Sequence, residues 1–142
     1  MKPDELEAEL QKPIHQRIDE LVTLNKSRGY ELGKDYYIII NPKITKKSDK
    51  KLLYPEMCMS AAPIIAPTKR AAWIEFDYYD ESGLLQSWSM KADTELGKML
   101  NRVFQHEIDH MDGIINIDKC NPKDLILESD PKFYENAKFT KV

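Results

Sequence analysis

In the stretch Gln105-His106-Glu107-Ile108-Asp109-His110-Met111-Asp112-Gly113, His106 and His110 are spaced so that on a helix both imidazoles leave the same face, one turn apart. Two such nitrogens can grip one metal ion. Glu107, beside the first, is placed to take a proton from a water on that metal. The chain has 3 histidines, and two of them fall in this pattern, flanked by hydrophobic Val103, Phe104, Ile108 and Met111. A surface helix that merely carries two histidines is the plainer alternative, but so scarce a residue concentrated in a metal-binding pattern argues against it. The helix should run from Thr94 to about Asp112, with Asp93 or Thr94 as its N-cap.

A catalytic metal of this type takes three protein ligands and keeps an open position for water, so the third ligand decides the class of enzyme. Cys58, in Tyr54-Pro55-Glu56-Met57-Cys58-Met59-Ser60, is one candidate. Glu128, in Leu125-Ile126-Leu127-Glu128-Ser129-Asp130, is another, from the general position where some zinc peptidases supply a carboxylate. The pattern H-E-x-x-H-x-x-G-x-x-H nearly fits, with Gly113 in place, but it ends on Asn116, a poor ligand, and fails.

Length and composition bound the rest. With 142 residues, 42% hydrophobic and 32% charged, the chain can bury one core but not two, so residues 1–142 are expected to form a single domain. A net charge of −3 argues against a general nucleic-acid surface. No apolar run approaches a membrane span, and the acidic opening does not read as a signal or transit peptide, which points to the cytoplasm. In that setting Cys58 and Cys120 are expected to be free thiols, not a disulfide.

Along the chain, residues 4–26 read as a helix, amphipathic from Glu5 to Leu24 with Leu6, Leu10, Ile14, Leu21 and Leu24 on or near one face, and with Gly29 as its stop. Tyr36 to Ile40 reads as a strand ended by Asn41-Pro42. Lys43 to Lys51 reads as a solvated loop or edge strand, where lysine discourages pairing between molecules. Trp73 to Tyr79 alternates and should lead through Glu81-Ser82-Gly83 into a second strand, Leu84 to Met90. Ile114 to Ile117 suggests a short strand. Pro122 and Pro131 keep any helix in the tail short.

Glu56-Met57-Cys58-Met59-Ser60 resembles the E-G-C-L-S motif of peptide deformylases, and Gln105 to Gly113 resembles their Q-H-E-x-D-H-L-x-G motif almost letter for letter. Ile40-Asn41-Pro42 is similar to the family's I-N-P strand end, Arg70 to the arginine after its cysteine loop, Tyr79-Asp80-Glu81-Ser82-Gly83 to its hairpin turn, and Leu100-Asn101-Arg102-Val103-Phe104 to the start of its metal helix. The resemblance runs from Ile38 to about Asp118. Two departures stand out. The family's G-x-G-x-A-A-x-Q motif is missing as written, its nearest trace being Gln11 in a chain that is N-terminally short against the pattern. Met57 replaces a glycine, and its side chain can crowd the site.

The resemblance implies an α+β fold of the peptide deformylase kind, with antiparallel or mixed sheets packed around the central H-E-x-x-H helix. It implies a metal site of Cys58, His106 and His110, with Fe(II) as the working ion; the ligand types suit Zn as well. Glu107 is the implied base, and the backbone N–H of Met59 with the Gln11 side chain the implied donors to an oxyanion. Glu56 and Arg70 can pair to hold the cysteine loop, and Met99 and Val103 can line a pocket for a methionine side chain. The implied reaction is removal of formate from N-formylmethionyl nascent peptides, with the ribosome as a neighbour and neither nucleic acid nor membrane as a direct partner. Two alternatives stand beside it: a deformylase-like chain that binds metal with little or no turnover, and a zinc peptidase using Glu128.

Overall fold

A computed structural model describes residues 2, 4–5, 8, 11–12, 14–29, 37–91 and 93–142. They fall into two compact units, one within 1–40 and 80–84, the other 41–79 with 85–142. In the first unit, helix α1 spans Ile14–Ser27. The expected helix over 4–26 is broken by a turn at Gln11 and Lys12, ahead of a proline in the sequence that has no N–H to give. Gly29, at φ 87°, ends α1 as expected, its N–H bonded to Lys26 O at 3.1 Å. Leu6 and Leu10 lie outside the described residues, as do the side chains of Ile14 and Leu21. The expected hairpin turn is present: Asp80 Oδ1 accepts from Ser82 N at 2.9 Å and Leu84 N at 3.0 Å.

The second unit carries the fold around the metal motif. Its strands are β1 (Ile40–Lys47), β2 (Lys51–Met57), β3 (Ile64–Ala71), β4 (Ile74–Tyr79), β5 (Leu85–Ser89), β6 (Ile126–Leu127) and β7 (Thr140–Lys141). One sheet has the order β1-β4-β5 and the other β6-β3-β2-β7. The β2–β3 pair is antiparallel from Lys51↔Ala71 to Met57↔Ile65, and β4–β5 from Glu75↔Ser89 to Tyr79↔Leu85. The strand expected to end at Asn41-Pro42 instead begins at Ile40 and runs on to Lys47, while Tyr36 lies outside the described residues. Proline is tolerated there because β1 is an edge strand, and Asn41 takes φ 49°, which asparagine accepts more readily than most residues. Lys43, Lys46 and Lys47 are exposed along that edge, as anticipated.

Helix α2, Glu95–Met111, is capped by the Thr94 side chain, which accepts from Gly97 N at 3.0 Å. It is gripped by both sheets. Phe104 packs on Phe76 of β4 and Trp88 of β5, with ring centroids 5.0 and 4.6 Å away. Two buried amides replace backbone bonds at the junction. Asn101 Oδ1 accepts from Ile74 N at 2.8 Å and its Nδ2 donates to Met90 O at 2.7 Å. Gln105 Oε1 accepts from Ala71 N at 3.2 Å and its Nε2 donates to Ala71 O at 2.9 Å. A helix amide can satisfy strand groups that have no ladder partner, which fixes the rotation and height of α2.

Beyond Gly113, the expected strand over 114–117 is instead a 3-10 helix, Asn116–Lys119. Local side-chain bonds win over a ladder there: buried Asn116 donates to Glu56 O at 3.0 Å and accepts from Ile117 N, while Asp118 accepts from Ile115 N. The tail helices are short, as the prolines required: Pro122–Asp124, and α3, Pro131–Asn136. Asn101→Ala should leave Ile74 N–H and Met90 O without these partners and lower stability by about 2–4 kcal/mol, read from urea unfolding with an unchanged m-value.

Candidate active site

Strand β2 delivers Cys58 and helix α2 delivers the two histidines. Past Met57 the chain leaves the ladder in a tight turn, Ala61 N to Cys58 O at 2.9 Å, which holds the Cys58 thiol inward and buried. The ligating atoms of Cys58, His106 and His110 lie within 4.8 Å of one another, with Cys58 Sγ 3.6 Å from His110 Nε2. Both rings are oriented from behind. His106 Nδ1 is 3.0 Å from Glu56 Oε1, and His110 Nδ1 is 3.0 Å from Ile114 O. Each Nδ1–H has an acceptor, so each lone pair is on Nε2, the tautomer a metal requires. The helix ending supplies the second acceptor: Gly113 takes φ 73°, a left-handed turn that glycine accepts without strain, and the chain folds back with Ile114 N on Asp109 O at 3.0 Å. One sulfur and two imidazoles converging this closely fit a divalent Zn- or Fe-type ion. Among the described residues this is the group that can hold one. Both cysteines are free.

Behind the histidines is a buried charge cluster. Glu56, 6% exposed, accepts from Arg70 Nε at 2.7 Å and Arg70 Nη2 at 3.0 Å, and from Arg102 Nη1. Arg70 also reaches Asp109 Oδ2 at 2.6 Å, and Lys119 meets the same oxygen at 3.0 Å. The expected Glu56–Arg70 pair is thus present, inside a larger group. Arg102 also donates to Thr68 O at 2.9 Å and Leu52 O at 2.7 Å, which ties α2 to β2 and β3. Its Nε is buried with no hydrogen-bond partner among the described residues, and the guanidinium lies 5.7 Å from the Tyr54 ring and 5.8 Å from that of Phe139. Burial pushes the Glu56 carboxyl up, but Arg70, Arg102 and His106 outweigh it and hold it below the usual glutamate range. Asp109 behaves alike: burial raises it, and Arg70 and Lys119 carry it below the usual aspartate range.

The other residues singled out by sequence take up distinct places. Glu107, 63% exposed at its side chain, has Oε2 4.0 Å from His110 Nε2, on the side where the ligating atoms converge. Met59 is 96% exposed, and its backbone N–H has no partner among the described residues. Gln11 falls in the first unit, in an exposed turn. Glu128 is not part of the Cys58, His106 and His110 group; its N–H bonds Pro63 O at 2.9 Å and it lines a separate shallow cleft with Leu127 and Ser129. A cleft of about 270 Å³ beside His106 and Glu107 is lined by Tyr54, Met57, Met99, Val103 and Phe133 among others. Arg102, Asn116 and Phe133 were not singled out for the site by sequence. Arg102, one turn before His106, carried a readable signal: a cation on the metal face of the helix.

The cluster sets a pH dependence and a mutational test. Both carboxyls are held below their ordinary ranges, so their stabilisation is present above those ranges and is lost as pH falls through the depressed values. Glu56→Gln should leave two buried guanidinium groups underpaired, lower stability by about 3–5 kcal/mol, and flatten part of the acid limb of the stability curve. It should also weaken metal binding about ten- to a hundredfold; urea unfolding across pH and competition with a metal chelator read both effects.

Comparisons with known proteins converge on this arrangement. The sequence model of the family described as polypeptide deformylase matches residues 14–125. A peptide deformylase of Brucella suis is 33% identical over 108 residues, which is 75% of this chain and 58% of that protein. The Arabidopsis thaliana peptide deformylase 1B, solved with an inhibitor, superposes with a TM-score of 0.55 at 32% identity, covering 66% of this chain and 49% of that one. The Synechococcus elongatus peptide deformylase, solved in complex with actinonin, gives a TM-score of 0.53 at 28% identity over 61% of this chain and 44% of that one. The chain spans about half the length of the curated relatives it matches. Gln11 lies before the matched span; Cys58, His106 and His110 lie within it. A match over most of the chain, a shared α+β fold of antiparallel strand pairs around the histidine helix, and the motifs on β2 and α2 together place this chain in the polypeptide deformylase family.

Proposed function

We propose that this chain is a metal-dependent hydrolase that removes the formyl group from N-formylmethionyl peptides, working in the cytoplasm on nascent chains near the ribosome. The observation that carries the reading is the convergence of Cys58 Sγ with two imidazoles whose Nδ1 atoms are already committed. Cys58, His106 and His110 hold one divalent ion, Fe(II) in the working protein, with Zn a chemically acceptable substitute. When bound, that ion supplies Lewis acidity, making a water nucleophilic near neutral pH and polarising the formyl oxygen.

The side chains do the rest. Glu107 accepts a proton from the attacking water at its exposed carboxylate and returns it to the amine nitrogen as the C–N bond breaks, so that water and formamide become formate and amine. The N–H of Met59, without a partner among the described residues, donates to the oxygen that gains negative charge. Tyr54, Met99 and Val103 offer an apolar cleft next to Glu107 for the methionine side chain. The Glu128 peptidase reading loses support, because Glu128 is not among the residues that converge with the histidines. A second reading, metal held with weak turnover, is favoured by one feature: Met57, 45% exposed, lines this same cleft where the family pattern has glycine.

An anaerobic assay of the ferrous protein on formyl-Met-Ala-Ser, with metal content measured on the same samples, tests these roles. Glu107→Gln should keep the ion and lose turnover by about a hundredfold or more. Cys58→Ala should lose the ion from folded protein, while Glu128→Ala keeps it. Met57→Gly should raise kcat/KM; an unchanged value would remove the crowding argument.

A further inference from the structure

The cleft beside Glu107 has three sources of wall. Helix α2 gives Met99 and Val103, strand β2 gives Tyr54 and Met57, and helix α3 gives Phe133. Phe133 lies beyond residue 125, where the family match ends. The segment that carries it is fastened on both sides. Before it, β6 pairs with β3 through Ile64↔Leu127 and Ile65↔Ile126. After it, β7 pairs with β2 through Leu52↔Lys141 and Leu53↔Thr140, and Val142 N bonds Lys51 O at 3.3 Å. Between them, Asp130 caps α3 by accepting from Lys132 N at 2.9 Å, and the Phe139 ring packs on Tyr54 with centroids 4.6 Å apart. A phenyl ring on a short segment fixed at both ends has little freedom to move aside.

We propose that Phe133 is a specificity-determining residue: it closes the cleft beside His106 and Glu107 and limits the size of the side chain that follows the formyl group. The inference rests on the proposed function, because it takes that cleft as the seat of the first residue of the peptide. The physical ground is volume. The cleft holds about 270 Å³, and apolar pockets sort side chains by how well they fill the space. A single methylene changes selection by about 10- to 200-fold; loss of a whole ring removes a larger piece of wall than that. This wall comes from the C-terminal segment, beyond the family-matched span.

The test measures binding, so that slow turnover cannot obscure it. Zinc-loaded Glu107→Gln protein, which should hold peptide without consuming it, is titrated by calorimetry with formyl-Met-Ala-Ser and formyl-Phe-Ala-Ser. The same titrations are run with Phe133→Leu and Phe133→Ala added. The parent should favour the methionine peptide. Phe133→Ala should move the Kd ratio toward the phenylalanine peptide by about tenfold or more, with Phe133→Leu between them and metal content equal in all three. A ratio that stays the same across the three proteins while the methionine peptide still binds overturns the wall assignment alone. If neither peptide binds the metal-loaded parent, the proposed substrate class fails and the wall assignment falls with it.

Discussion

The buried carboxylate of Glu56 is the point on which the site depends. It meets two guanidinium groups and one imidazole at once, and its own backbone carbonyl accepts from Asn116. Counted with Asp109, the cluster sets two anions against two buried arginines, with the part-exposed Lys119 as a third cation on Asp109. A buried ion pair of this kind is a weak source of net stability, because the desolvation cost offsets most of the attraction. Its value lies in geometry. Arg70 and Glu56 lie on adjacent antiparallel strands, Arg102 and His106 on the helix, and each bond constrains the next. The His106 ring is aimed by a carboxylate that is itself held from two elements.

The amides of Asn101 and Gln105 serve the same end by a different route. They bond strand backbone from the helix side, five residues before His106 and immediately next to it. Phe104 packs against both Phe76 and Trp88 of the β1-β4-β5 sheet. The metal-binding face of α2 is therefore set by groups that cannot shift without leaving buried polar atoms unsatisfied. Glu107, by contrast, is exposed, and among the described residues its polar contact is His110 Nε2 at 4.0 Å. The proposed base thus keeps a freedom that the two histidines, each bonded at Nδ1, do not have.

How much of this was legible in the sequence depended on how local each interaction is. The metal helix was readable from Thr94 to Asp112, since histidine spacing, apolar periodicity and the N-cap all lie within one stretch. The hairpin at Glu81-Ser82-Gly83 was readable for the same reason. Cys58 is not singled out by spacing alone, because nothing local ties a cysteine to histidines some 50 residues away; the family motif around it carries the signal. The 114–117 segment looked like a strand because its isoleucines are apolar; Asn116 and Asp118 instead close side-chain bonds that a pattern of hydrophobicity does not register. Phe133 takes its place only through the distant residues that share its cleft. Strands β6 and β7 are two residues long, too short for any alternation to show.

The reading of the site rests on one thiolate and two imidazoles holding a single metal ion. X-ray absorption at the zinc edge of the zinc-loaded protein measures that directly. The account predicts one sulfur at about 2.3 Å and two imidazole nitrogens at about 2.0–2.1 Å, with the sulfur shell absent in Cys58→Ala. A first shell of nitrogen and oxygen alone, unaltered by Cys58→Ala, would contradict it.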